Sequence, residues 1–102
     1  VFLLATSTAE LVNCPGLVKR SDVVVDSNYV GKGYGIPTDA TIEAIKILAQ
    51  MEGILLDPVY SGKAMAGLID LVRKGFFNRD ENILFLHTGG TAGLFGYTSF
   101  FS

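Results

Sequence analysis

The sequence predicts an α/β fold: part of an open, mostly parallel sheet flanked by helices, and incomplete in this chain. Three observations predict it. Two segments carry apolar residues at helical spacing, short β-branched or apolar runs lie around them, and Gly/Pro punctuation separates the two kinds. Helices alternating with short, wholly apolar strands make the pattern of a parallel sheet, which is covered on both faces. Only two or three such runs are present, fewer than the roughly 5–6 strands of an average sheet. The chain therefore reads as a portion of a larger domain.

Taken in order, Val1 to Ala5 is a short apolar run that fits either a buried strand or the start of a helix. Thr6 or Ser7 is placed to cap a short helix carrying Ala9, Leu11 and Val12, which Pro15-Gly16 would stop. Val23 to Val25 is β-branched throughout and predicts a short buried strand. Ser27 to Pro37 holds three glycines and two tyrosines without apolar periodicity, so it is a loop.

Thr38 or Asp39 then begins a helix directly after Pro37. Ile42, Ile45, Leu48 and Ala49 recur at helical spacing, and Gly53 supplies the stop. The strand-like ILLDPVY is closed by Pro58. Ser61 is a natural N-cap for the next helix, where Met65, Leu68, Ile69 and Val72 form one stripe and Gly75 ends it. Ile83 to His87 predicts a fully buried strand. The Gly- and aromatic-rich tail, Thr88 to Ser102, carries no clear pattern.

Composition narrows the function. Hydrophobic residues make up 49% and charged residues only 18% of the 102. Globular chains average roughly 25% charged, so part of this surface is expected to be covered by further chain or a subunit. A net charge of -2 gives no footprint for nucleic acid or an anionic membrane. No apolar run approaches the ~20 residues that span a bilayer, and the first residues lack the basic region of a signal peptide. The single cysteine, Cys14, excludes an internal disulfide and fits a cytoplasmic protein; its expected place is a buried or half-buried hydrophobic position.

Three stretches carry the candidate chemistry: GKGYGIPTD (Gly31 to Asp39), LDPVYSGKAMAG (Leu56 to Gly67) and HTGG (His87 to Gly90). All three are expected to line one side of a cofactor pocket. GKGYG fits neither dinucleotide nor Walker spacing and is a flexible turn, but its glycines let Tyr34 approach a ligand closely. In Tyr60-Ser61-Gly62-Lys63 the serine hydroxyl either caps the helix or faces a pocket. A Schiff-base role for Lys63 is disfavoured, since a lysine in a first helical turn is expected to be solvated or paired with a carboxylate. His87 ends a strand at the edge where α/β sheets bind ligands; alone, it is no metal site. No triad order or nucleophile elbow supports a hydrolase.

Together, GYGIPT, EGILLDPVYSGKAMAGLIDLVRKG and ILFLHTGG resemble the C-terminal part of the pyridoxal-phosphate enzymes that include D-cysteine desulfhydrase and 1-aminocyclopropane-1-carboxylate deaminase. The resemblance covers roughly Asp22 to Tyr97. It implies a tryptophan synthase β-like fold, with residues 1–102 drawn mainly from the large cofactor-binding domain. It also implies pyridoxal 5'-phosphate as cofactor, a small amino acid as substrate, and a homodimer when complete.

Residue by residue, the resemblance implies Tyr34 and Tyr60 as catalytic tyrosines, Ser61 facing the pyridine nitrogen, and Thr88 and Gly89 bordering the ring. Deaminases of the family resemble DPVYEGK and HLGG, desulfhydrases DPVY followed by Ser or Thr, and HTGG. This chain has the second pair, in Ser61 and Thr88. A carboxylate beside the ring nitrogen stabilises its protonated form, whereas a hydroxyl supplies no charge. The weaker electron sink suits β-elimination of thiolate: D-cysteine to pyruvate, sulfide and ammonia. The family's Schiff-base lysine, catalytic serine and phosphate loop lie upstream of the matching region, so the chain alone is expected to be inactive. A non-catalytic domain that keeps the fold is the alternative from another class.

Overall fold

A computed structural model describes residues 1–102. It contains three α-helices: α1 (Phe2–Leu11), α2 (Asp39–Glu52) and α3 (Ser61–Arg73). Short 3-10 segments lie at Arg20–Asp22 and Thr91–Phe100, the second kinked at Tyr97. No helix is long and apolar enough to cross a membrane.

The helix α2 forms where its pattern predicts. Thr38 Oγ1 accepts from the Thr41 N–H at 3.2 Å while Thr41 Oγ1 accepts from the Thr38 N–H at 3.3 Å, a reciprocal cap. Gly53 ends the helix in the left-handed region at φ 68°, a conformation that side chains resist.

Helices α2 and α3 pack on each other around Ala44, Ile45, Leu56, Met65 and Ala66. Leu48, Leu68, Ile69, Phe85, Leu94 and Phe101 complete this small core from its margins. Gly62 makes the close approach possible, because a Cβ there would lie 2.6 Å from the Asp57 carbonyl oxygen and 2.9 Å from Ile45 Cδ1.

Helix α1 starts earlier than expected. It begins at Phe2, so Thr6 lies inside it and donates its hydroxyl back to the Phe2 carbonyl at 3.0 Å. The run Val1 to Ala5 is thus mostly helical. Asn13, at φ 60°, turns the chain after the helix, two residues before the expected Pro15-Gly16 stop. Cys14, expected to be buried or half-buried, is exposed on this turn.

No strand forms. Val23 to Val25 and Ile83 to His87 run without a ladder, and Leu84 is 91% exposed. Helical hydrogen bonds close within a segment, but strand bonds close only between neighbouring extended segments, and none lies alongside these two. The molecule is accordingly spread, with a radius of gyration of 15.8 Å. A compact domain of this length has one of about 13 Å. The low-charge composition and the exposed apolar side chains point the same way.

Candidate functional site

The site is built around the first turn of α3. The sequence places a carboxylate, Asp57, just before this turn, and the fold buries it to 2% exposure. Its Oδ2 accepts from the N–H groups of Val59 at 2.7 Å and Tyr60 at 2.8 Å, and its Oδ1 from the Ser61 N–H at 2.9 Å. Two of these donors lie just ahead of α3 and the third opens it, so Asp57 caps the turn that leads into the helix. Ser61 is the helix's first residue and not its N-cap. Burial pushes the Asp57 carboxyl up, but hydrogen bonds from the Ser61 hydroxyl and from three backbone N–H groups outweigh it and hold it below its usual range.

Ser61, 3% exposed, completes this turn. Its hydroxyl donates to Asp57 Oδ1 at 2.6 Å and accepts from the Asp57 N–H at 2.9 Å. Side chains at a helix start lean back toward the N-terminus, which aims Ser61 at Asp57.

On the other side of the turn lies an open hollow of about 590 Å³, lined by Tyr29, Val30, Tyr34, Tyr60, Lys63 and Leu68 among others. This falls within the ~300–1,000 Å³ typical of small-ligand pockets. Tyr34 and Tyr60 meet at its mouth, their hydroxyls hydrogen-bonded and their rings edge to face at 5.7 Å between centroids. The bond to Tyr34 pushes the Tyr60 phenol above its usual range, and partial burial and the Asp57 charge act in the same direction. Tyr60 thus keeps its proton at neutral pH.

The loop that carries Tyr34 is tied down from several sides. The Tyr29 hydroxyl donates to Asp70 Oδ2 at 2.6 Å, and its ring lies over Gly67, where a Cβ would approach it to 3.0 Å. The Tyr97 hydroxyl donates to the Gly35 carbonyl at 2.9 Å. Lys63, expected to be solvated or paired with a carboxylate, is only 8% exposed and donates instead to the Val30 and Gly33 carbonyls.

His87 holds the HTGG segment in place. Its Nε2 bonds to the Leu55 carbonyl at 3.0 Å, and its Nδ1 accepts from the Gly89 N–H at 3.0 Å. The two bonds assign the ring proton to Nε2. Thr91 adds a hydroxyl bond to the same carbonyl at 3.1 Å. Gly90, at φ 87°, lies so close to Asp57 that a Cβ would sit 3.0 Å from the carboxylate carbon.

The sequence-predicted residues therefore fall into two groups. Tyr34 and Tyr60 come together in the hollow, as the first two stretches required. Ser61, Thr88 and Gly89 do not line it: Ser61 turns to Asp57, and the HTGG segment packs on the far side of that carboxylate. The single hollow expected from all three stretches is thus divided by the first turn of α3. The reason is electrostatic, since a buried carboxylate draws in every donor within reach. Asp57 and Tyr29 were not singled out from sequence, and Lys63 was weighed there only as a Schiff-base candidate. Only Asp57 had a local signal, as a carboxylate four residues ahead of a helix start.

The pattern that defines the family described as pyridoxal-phosphate dependent enzyme matches residues 4–89. The chain belongs to this family. The match extends well upstream of Asp22, where the motif resemblance faded. Among relatives, a 1-aminocyclopropane-1-carboxylate deaminase of Burkholderia vietnamiensis is 46% identical over 98 residues, 96% of this chain and 29% of that protein's length. A D-cysteine desulfhydrase of Salmonella newport is 54% identical over 81 residues, 79% of this chain and 25% of that protein's length. The chain thus spans less than a third of either relative.

Membership of the pyridoxal-phosphate dependent enzymes implies the tryptophan synthase β-like fold, of which this chain shows helices but no sheet. The residues expected at the ring end of pyridoxal phosphate are uncharged, but they lie across the first turn of α3 from the hollow. Ser61 and Thr88 offer uncharged hydroxyls, a Cβ at Gly89 would meet nothing within 4 Å, and the adjoining hollow has largely apolar walls.

Proposed function

We propose that the chain forms one wall of the active site of a pyridoxal-phosphate-dependent lyase that converts D-cysteine to pyruvate, sulfide and ammonia. The observation that carries this reading is a hydroxyl, Ser61, in place of an acid at the start of α3. When bound, pyridoxal phosphate supplies an electron sink that makes the α-proton of an amino acid removable. Ser61 and Thr88 would hold the ring, with Gly89 beside it. The Ser61 proton is committed to Asp57 and one lone pair to the Asp57 N–H, so Ser61 brings no charge of its own toward the ring. An uncharged neighbour stabilises a protonated ring nitrogen less than a carboxylate does. This weaker electron sink suits loss of thiolate better than opening of a cyclopropane ring.

Tyr60, held protonated, is the group placed to hand a proton to a departing atom, and Tyr34 orients it. The remaining enzyme would supply the cofactor's lysine and phosphate loop. It would also supply partner strands for Val23 to Val25 and Ile83 to His87, in a cytoplasmic homodimer whose isolated C-terminal portion is inactive.

A deaminase acting on 1-aminocyclopropane-1-carboxylate is the second reading, favoured by the wider coverage of the Burkholderia relative. The full-length protein separates the two. Pyruvate from D-cysteine is expected, and 2-oxobutyrate from the cyclopropane substrate as the only product would overturn the assignment.

A further inference from the structure

We propose that Lys63 is a positioning residue that acts through Tyr34, holding its phenol against Tyr60. The proposal rests on the assignment of Tyr34 and Tyr60 to substrate chemistry. Lys63 Nζ donates to the Val30 carbonyl at 2.6 Å and to the Gly33 carbonyl at 2.9 Å, across 33 and 30 positions of sequence. A buried ammonium is costly unless paired. Neither ion pair of the molecule, Arg73–Glu43 or Lys74–Asp70, includes it. Its charge is met by backbone carbonyls.

The choice of carbonyls gives the contact its meaning. The Gly33 carbonyl belongs to the peptide unit that leads into Tyr34, so anchoring it sets the plane from which the tyrosine departs. The glycines around it, at φ 73°, 159° and 71° for Gly31, Gly33 and Gly35, leave that plane few restraints of its own. Lys63 also lies one turn along α3 from Tyr60. One helix turn therefore carries a phenol and the clamp that brings the second phenol to it. An ammonium suits this task because its donors radiate from a point, whereas a guanidinium presents a planar fork.

The test uses full-length enzyme with K63M and K63R, each alone and combined with Y34F. Displacement of about 1 Å at a reacting group costs up to about 100-fold, so K63M is expected to lower kcat by about 10-fold or more. In the Y34F background the same change is expected to alter kcat less than about twofold, because the group Lys63 positions is already gone. Hydrogen exchange of the peptide covering residues 30–36 is expected to quicken in K63M, with thermal stability little changed. K63R, which keeps the charge, is expected to recover part of both.

Effects of K63M and Y34F that multiply, loop exchange that stays at the wild-type rate, or a K63R enzyme more impaired than K63M would overturn the proposal. Full turnover by Y34F alone would instead overturn the role of the tyrosine pair, and loop exchange would then decide the clamp separately.

Discussion

Asp57 and Ser61 close on each other from both ends. The serine hydroxyl donates to the carboxylate at 2.6 Å and accepts from the same residue's N–H at 2.9 Å. A carboxylate four residues upstream thereby decides which way the hydroxyl points and which of its lone pairs remains available. The character of the site depends on this pair more than on Ser61 alone.

Removing the carboxylate should therefore unsettle the whole turn. Asp57→Ala strands three N–H donors and the Ser61 hydroxyl, and hydrogen bonds to charged groups contribute about 1.5–3 kcal/mol each, non-additively. The expected loss is about 3 kcal/mol, and about 1–2 kcal/mol for Asp57→Asn, measured as shifts in urea midpoint of the full-length protein. An unchanged midpoint in Asp57→Ala would show that the cap is dispensable.

The same carboxylate gives a pH dependence with a definite sign. Its folded-state pKa is lowered, so its contribution is complete above the unfolded value of about 3.9. That contribution fades as pH falls from there through the lower folded value. Asp57→Asn should flatten this acid limb relative to wild type in thermal melts between about pH 5 and 2. A limb equally steep in both proteins would assign it to other carboxylates.

Gly62 lies where α3 packs on Ile45 of α2. A Cβ would fall 2.6 Å from the Asp57 carbonyl oxygen, a backbone atom that cannot swing aside. Gly62→Ala is expected to destabilise the protein by about 2 kcal/mol despite alanine's better helix propensity. A stabilised Gly62→Ala protein, judged by its melting temperature, would contradict the packing described.

At the tyrosine pair, Tyr60→Phe is expected to lower turnover on D-cysteine by about 100-fold, in line with loss of one acid–base group, with little change in cofactor affinity. Titrating bound cofactor by its absorbance separates the two effects. The proton on Tyr60 is retained below its raised pKa and lost as pH climbs through it. In Tyr34→Phe that raising hydrogen bond is gone, so the alkaline fall of residual activity should move to lower pH.

Ser61→Glu tests the electron-sink argument. It should lower turnover of D-cysteine relative to 1-aminocyclopropane-1-carboxylate by about tenfold or more. An unchanged ratio of the two rates would mean that the residue does not tune the ring. Stability should fall as well, since the new carboxylate enters the surroundings of Asp57.

Much of the fold was legible in the residues. Helix α2, from its Thr38 cap to its Gly53 stop, and the apolar stripe of α3 follow from spacing and capping chemistry that act within one turn of chain. The start of α1 was misplaced because Val1 to Ala5 suits strand and helix equally. Tyr34 and Tyr60 were identified as a pair through motif resemblance, and the structure joins them. The directions of Ser61 and Lys63 were not legible, since each is set by a partner that local pattern does not reveal.

By itself, then, the sequence determined the two core helices, the family, and the uncharged residue at the head of α3. Those features depend on side-chain type and short-range periodicity. Tertiary structure alone decided that Asp57 captures Ser61, that Lys63 grips the loop before Tyr34, and that Val23 to Val25 and Ile83 to His87 stay unpaired. Each of these depends on whether the folded chain brings a donor or acceptor within about 3 Å of a polar group, and linear order does not encode that distance.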